Sequence, residues 1–272
     1  MPNPGLFARA LSNDRLVVAV AIALAVLASA AFILAGGGTG MSVFGMAVQT
    51  GPVGALIAGT PDMAMPSIWT PGYALTIFFM WWMMMIAMMT PSAAPTILLY
   101  GALNGSNGPA APLQFAAGYL VAWAGFSLVA TIMQAALATL GLMSDMYMTL
   151  AHPALGALVM IGAGLYQFTP QKAACLDHCR GPVEALTRIR KTGRAAALRM
   201  GLTHGGYCLG CCWALMALLF AGGIMNIWWV LGIALYVALE KLAPWGGRSA
   251  KPMGTALALA GAALLLRVFG VV

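Results

Sequence analysis

The sequence predicts an all-α integral membrane protein, a polytopic bundle of transmembrane helices with about seven spans. Of its 272 residues, 62% are hydrophobic and only 7% are charged, whereas a soluble domain carries about 25% charged residues. Apolar runs of about 20 residues recur, which is the length that crosses a hydrocarbon core of about 30 Å. Backbone groups in lipid must bond internally, and the alternating pattern of a barrel strand does not recur in this sequence. Helical spans are therefore predicted.

The seven predicted spans follow one another within a single transmembrane domain, residues 1–272. They cover residues 16–35, 73–100, 112–142, 153–169, 200–220, 224–242 and 253–271. A glycine- and proline-rich segment after span one is predicted to be irregular. Span two contains Pro91 and Pro95, and because each proline removes a backbone donor we expect a broken or kinked helix. A polar segment, residues 170–199, separates spans four and five, and Gly222 and Gly223 make a tight turn after span five.

The lysine and arginine residues predict the orientation, because cytoplasmic loops carry an excess of positive charge. With the N-terminus in the cytoplasm, 12 of the 13 Lys and Arg residues fall on the cytoplasmic side. Arg267, near the outer end of span seven, is the exception, and its long side chain can reach the head groups. Seven spans then place the C-terminus outside. Topology accounts for the net charge of +7, so we expect the lipid bilayer, and no nucleic acid, as the partner.

Cysteine and histidine residues are concentrated in one part of the chain. His204, Cys208 and Cys211 are spaced to share one helix face, and Cys175 and Cys179 share another if their stretch is helical. Thiolate and imidazole together suit copper(I) or zinc, and four such donors complete a tetrahedral zinc site. The candidate metal ligands on the cytoplasmic side are Cys175, His178, Cys179, His204, Cys208, Cys211 and Cys212.

Two other interpretations of the cysteines stay open. A free cysteine is a small hydrophobic residue that packs well in a helix, so the thiols could be structural. Cys208 and Cys211 also have the spacing of a thiol-redox motif, although that motif usually opens a thioredoxin-like helix. Structural disulfides are not expected, because cytoplasmic thiols normally stay reduced. His152, at the outer end of span four, is predicted to be an interfacial polar residue.

A methionine-rich run in span two supplies a second set of soft donors. Met80, Met84 and Met88 recur every four residues and therefore lie on one helix stripe. A thioether is a soft, neutral ligand that fits copper(I), so this stripe is a possible metal route. Methionine is equally suited to filling irregular gaps between membrane helices, and packing is the alternative explanation. Met63 and Met65 in the outer segment could capture the same ion.

Four stretches of sequence carry a family resemblance: YQFTPQK at 166–172, CLDHC at 175–179, GLTHGGYCLGCCWALM at 201–216, and the methionine-rich run at 81–95. They resemble a bacterial family of uncharacterised polytopic proteins described as predicted metal-binding integral membrane proteins. The resemblance implies a multi-pass protein of the bacterial inner (plasma) membrane. It supports the cysteines and histidines as metal ligands, and it implies no particular reaction.

The leading hypothesis is a membrane protein that binds copper or zinc and serves metal transfer or homeostasis. We identify no catalytic residues and expect no enzymatic activity; the sequence also lacks a phosphate-binding glycine loop and a mid-membrane chain of carboxylates. One alternative is an accessory or assembly subunit of a larger membrane complex, since glycines such as Gly118, Gly125 and Gly164 permit close contacts between helices. The other alternative is a membrane thiol-redox protein.

Overall fold

A computed structural model of the chain describes residues 4–39, 69–104, 109–144, 148–181 and 194–270. Within these ranges the chain forms eight helices and one short antiparallel hairpin. The helices are α1 (Pro4–Leu34), α2 (Pro71–Leu103), α3 (Ala110–Thr139), α4 (Pro153–Tyr166), α5 (Pro170–Arg180), α6 (Arg194–Gly222), α7 (Ile227–Leu242) and α8 (Gly246–Val268). The hairpin pairs β1 (Met143–Ser144) with β2 (Thr149–Leu150) between α3 and α4. Met63 and Met65 lie outside the described residues.

The predicted all-α class is confirmed, and five helices are long and apolar enough to cross a membrane. They are Asp14–Leu34 within α1, α2, α3, Ala195–Gly222 within α6, and α8. Helices α4 and α7 have only 14 and 16 residues, fewer than the roughly 17–25 residues of a usual span. The count of seven spans and the orientation of the termini therefore stay predictions.

The sequence predicted a broken or kinked helix at Pro91 and Pro95, and helix α2 is not broken there. It begins at Thr70, whose hydroxyl accepts from the amide of Tyr73 at 3.2 Å, and it continues through Pro91 and Pro95 to Leu103. Near the prolines the carbonyl of Met89 accepts two side-chain hydrogen bonds, from Ser92 Oγ at 2.8 Å and from Tyr119 Oη at 3.1 Å. The second of these bonds joins α2 to α3.

Helix α6 occupies the centre of the bundle and packs against α3, α4 and α5. Glycines allow the backbones of α3 and α6 to touch. A Cβ at Gly201 would meet the carbonyl of Phe115, and a Cβ at Gly118 would meet the carbonyl of Leu198. Small residues are what membrane helices use to approach one another closely. Gly164 has a similar role between α4 and α8, whereas Gly125 faces open space.

The short helix α5 is held against α6 and α7 by a buried ion pair. Lys172 Nζ lies 2.8 Å from Glu240 Oε2, and the two side chains are 1% and 0% exposed. Lys172 Nζ also donates to the carbonyl of Cys211 at 3.0 Å, and Tyr236 Oη donates to Glu240 Oε1 at 3.2 Å. The adjacent Lys241 does not pair with this carboxylate, because neighbouring helix residues point about 100° apart and Lys241 contacts Cys208 instead.

Arg180 anchors the C-terminal end of α5 to α7 and the residues that follow it. Its guanidinium donates to the main-chain carbonyls of Glu240, Ala243 and Pro244, where α7 ends. These carbonyls have no partner within the helix, so a cation with several donors is well suited to them. Lys172 and Arg180 thus fix both ends of α5, and they determine where the residues between them lie.

The close contact of α3 with α6 can be tested with two alanine substitutions in one helix. Gly201→Ala should destabilise the protein, because the new methyl group meets the Phe115 backbone, which cannot move aside. Gly206→Ala is the matched control, since nothing lies within 4 Å of its Cβ position, and a helical Gly→Ala change is neutral or stabilising by up to about 1 kcal/mol. The measurement is thermal unfolding in detergent. Equal behaviour of the two variants would contradict the described packing.

Candidate metal site

Helix α5 presents Cys175, His178 and Cys179 to α6. The helix starts at Thr169, whose hydroxyl accepts from the Lys172 amide at 3.3 Å, with Pro170 in the first turn. Four residues separate Cys175 from Cys179, so both thiols lie on one face. The sequence predicted a shared face for Cys175 and Cys179 if their stretch is helical, and Pro170–Arg180 is a helix.

The thiol of Cys208 on α6 is the centre of the site. Its sulfur lies 2.8 Å from Lys241 Nζ and 3.1 Å from Tyr119 Oη, and the residue is 1% exposed. The Cys179 thiol also interacts with the thiols of Cys208 and Cys211. Side chains from α3, α5, α6 and α7 therefore meet at one sulfur atom.

The remaining thiols surround this centre. Cys211 Sγ and Cys212 Sγ donate to the carbonyl of Cys208 at 3.0 Å and 2.9 Å. Cys212 Sγ also lies 3.9 Å from Met89 Sδ of α2. Cys175 Sγ lies against Gly210, where an added Cβ would be 2.7 Å from the sulfur. All five cysteines are free thiols.

The pKa values of Cys175, His178 and Cys179 are shifted in α5, which lies outside the predicted spans. The hydrogen bonds that the Cys179 thiol makes with Cys208 and Cys211, together with burial, raise the pKa of Cys179 well above its ordinary value. Burial and the nearby Cys211 raise the pKa of Cys175. Burial lowers the pKa of His178. At neutral pH both thiols are therefore protonated and the imidazole is neutral.

The two candidate histidines face each other across the α5–α6 contact. The rings of His178 and His204 have centroids 6.2 Å apart, and His178 stacks on Tyr207 at 3.8 Å. His204 is 6% exposed and packs near Phe115 and Tyr119, with ring centroids 5.7 and 6.0 Å away. Both rings thus border the thiol cluster. The third histidine, His152, is solvent-exposed at the start of α4.

The assembled residues do not have the geometry of a coordination site. Across the described ranges, no three His, Cys, Asp or Glu side chains are arranged to hold a metal ion. The hydrogen bonds explain this geometry, because Cys211 and Cys212 both turn towards the carbonyl of Cys208. A thiol that donates to a carbonyl is protonated, whereas a metal ligand must be a thiolate. Binding a metal here requires these thiols to lose protons and rotate.

The methionine stripe is fully inside the protein. Met80 and Met84 are 0% exposed and Met88 is 4% exposed. The sulfur that reaches the cysteines belongs to Met89, which lies outside the stripe of Met80, Met84 and Met88. Met88 instead lines a cavity on the other side of the helix.

Lys241, Tyr119 and Met89 are the site residues that the sequence did not single out. By its charge alone, Lys241 counts only as one more positive residue at the inner end of a span. Its position could have indicated a buried role, because Lys241 directly follows Glu240 in the last turn of an apolar helix and the two charges cannot both face the same neighbour. For Tyr119 and Met89 the sequence carries no comparable signal.

The comparisons with known proteins identify a family. No curated protein and no solved structure matches the chain. A family model described as PpoB2, copper chaperone, matches residues 78–264. The match begins within α2, ends within α8 and includes every candidate ligand. Because it spans more than half of the 272 residues, the chain belongs to the PpoB2 copper chaperone family.

Proposed function

We propose that this protein carries copper(I) in the membrane and holds it at the thiols around Cys208. The ligands would be Cys208, Cys179 and Cys211, with Cys175, Cys212, His178 and His204 as the neighbouring donors. The observation that carries the proposal is the convergence of Lys241, Tyr119 and Cys179 on the Cys208 sulfur, which lies 2.8 Å from the lysine nitrogen, with the Cys211 thiol bonded to the carbonyl of the same residue. The family to which the chain belongs supports copper as the cargo.

The buried lysine suits a copper(I) centre with two thiolate ligands. When two of the three proposed cysteines ionise and the third stays a thiol, copper(I) and its ligands carry a net charge of minus one, and the Lys241 ammonium balances it. Zinc bound by two thiolates and two imidazoles would be neutral and would leave Lys241 uncompensated, so a zinc site here would need a third thiolate. Lys241 is only 8% exposed, and an unpaired buried charge costs several kcal/mol. Thiolate suits copper(I) and zinc alike, so copper as the cargo rests on the family to which the chain belongs.

The site supports a carrier more than a thiol-redox protein. Cys208 and Cys211 are 1% and 0% exposed, so a soluble disulfide cannot reach them, and redox-active cysteines are usually partly exposed. Copper binding by Cys179 needs only its proton to leave and its side chain to turn. The accessory-subunit interpretation is compatible with a carrier, because a chaperone delivers its ion to another protein.

We also propose the seven-span arrangement, with the N-terminus and the thiol cluster on the cytoplasmic side of a bacterial inner membrane. Helices α4 and α7 would complete the crossing, with lengths of about 21 and 24 Å. A cytoplasmic location would keep the five thiols reduced and available for copper(I).

The thiol cluster can be tested by measuring bound copper. Wild-type protein, purified in detergent under anaerobic reducing conditions and loaded with copper(I), should retain about one ion that resists washing. Cys208→Ser with Cys211→Ser should remove it, because a hydroxyl is a hard and weak ligand. Met216→Leu, a buried change one turn further along α6, is the control and should leave the copper content unchanged. Undiminished copper in the double variant would refute the site.

Lys241 has a separate test. Lys241→Met should weaken copper(I) retention at least about tenfold, which corresponds to about 1.4 kcal/mol, because the negative copper–thiolate centre loses its counter-charge. Lys241→Arg should retain most of the affinity. Competition with a chromogenic copper(I) chelator measures the change, and Lys251→Met, at an exposed position of α8, is the control. If Lys241→Met binds copper as tightly as wild type, the charge argument is wrong.

Copper affinity at this site should rise with pH. The pKa values of Cys175 and Cys179 are raised, so both thiols are protonated at neutral pH and a bound ion must displace protons. Affinity should therefore increase by up to about tenfold per pH unit for each proton released, and it should fall as the pH drops. Chelator competition between pH 6 and pH 8 would measure the slope. Cys179→Ala should reduce that slope; an identical slope in the variant would exclude Cys179 as a ligand.

A further inference from the structure

A cavity of about 330 Å³ lies between α1, α2 and α7, away from the thiol cluster. Three methionines line it: Met84 and Met88 from α2, and Met225 from the turn between α6 and α7. The other lining residues are alanine, isoleucine, leucine and valine side chains. Three thioethers from two separate chain segments are therefore the only donor groups among the residues that line this space.

Met225 is held in place from two sides. The residue is 0% exposed, and the amide of the preceding Ile224 donates to the carbonyl of Met148 at 3.1 Å. Gly37, which has a positive φ of 59°, covers it: a Cβ there would lie 3.4 Å from Met225 Cε and 2.9 Å from Met80 Cγ. The glycine turn at the end of α1 thus lies against Met80 and Met225 together. Met80 is one helical turn from Met84 and lies on the same stripe of α2.

This space opens at the surface of the protein, where the lining residues Leu34 and Leu231 are exposed. The three methionines form its buried part, because Met84, Met88 and Met225 are 0%, 4% and 0% exposed. Methionine usually fills irregular gaps between membrane helices, yet here the pocket stays open beside three methionine side chains.

We infer that Met84, Met88 and Met225, with Met80 beside them, form a second binding site for a soft monovalent cation, copper(I) or its analogue silver(I). Thioether sulfur is soft and uncharged, which suits copper(I) and excludes magnesium and calcium. A monovalent ion also costs much less to bury than a divalent one, because the Born cost grows with the square of the charge. The thioethers have no proton to lose, so this site binds its ion independently of the thiols.

The two sites are connected by one pair of sulfur atoms. Met88 faces the cavity, and the next residue, Met89, faces α6, where its Sδ lies 3.9 Å from Cys212 Sγ. Cys212 in turn donates to the carbonyl of Cys208 at 2.9 Å. Passage of an ion from the methionines to the thiols rests on the proposed copper function. Binding at the methionines does not.

Silver(I) is the probe for the test, because it does not change oxidation state under these conditions. The full chain in lipid nanodiscs is loaded with silver(I), washed and analysed for metal. Wild type should hold two ions, and Met84→Leu with Met88→Leu and Met225→Leu should hold one. The control is Met160→Leu with Met200→Leu and Met216→Leu, three buried methionines elsewhere, which should still hold two. Leucine is close to methionine in volume, so the fold should tolerate both sets.

The thiol site and the thioether site can fail separately. Cys208→Ser with Cys211→Ser should hold one silver ion, which should persist at pH 4.5 because thioethers do not protonate. Two ions in the cavity variant, or equal losses in the cavity and control variants, would overturn the thioether site and leave the thiol site standing. Two ions in the cysteine variant would instead refute the proposed function.

A second measurement avoids mutating the cavity. The cysteine variant is prepared with selenomethionine and loaded with copper(I), and X-ray absorption at the copper edge should show selenium neighbours. Copper bound with only light-atom or sulfur neighbours would overturn the inference.

Discussion

The arrangement of this protein depends on two oppositely charged residues in the last turn of α7. Glu240 faces α5 and pairs with Lys172 at 2.8 Å, while Lys241 faces α6 and contacts Cys208 at 2.8 Å. Both are buried, and a buried charge is tolerated only with a partner. One turn of helix therefore fixes the position of α5 through Glu240 and places a positive charge at the thiol cluster through Lys241.

The same helical turn explains why a bound metal ion and its thiolate ligands would together carry a low net charge. Lys172 already pairs with the Glu240 carboxylate, and the Cys208 sulfur is the group within reach of the Lys241 ammonium. Copper(I) held there by two thiolates would carry one negative charge, which Lys241 would balance. A counter-charge that is already in place would keep the cost of loading small in a region of low dielectric.

The sequence predicted the helical class and the set of donors, because both depend on local patterns. Composition and apolar length indicate membrane helices, and the spacing of Cys208 and Cys211 indicates a shared face. Contacts between distant residues have no such pattern. Three such contacts depend on how α2, α3, α5 and α7 surround α6. They are the pairing of Glu240 with Lys172, the contact of Tyr119 with Cys208, and the contact of Met89, and not Met88, with Cys212. The hairpin at 143–150 was missed because its strands are two residues long.

The order of donors along the helices favours a soft ion at every step. From Met80 to Met89 the thioethers follow α2 for about 14 Å, and from Cys212 to Cys208 the thiols follow α6 for about 6 Å. Neither α2 nor α6 contains an aspartate or glutamate, so a hard cation would find no carboxylate on either helix. The donors also change in kind, from neutral thioethers to thiols that can ionise beside Lys241. An ion bound by weak neutral ligands would move to stronger anionic ones with a favourable free energy, and the sulfur–sulfur contact of Met89 with Cys212 lies where that change in donors occurs.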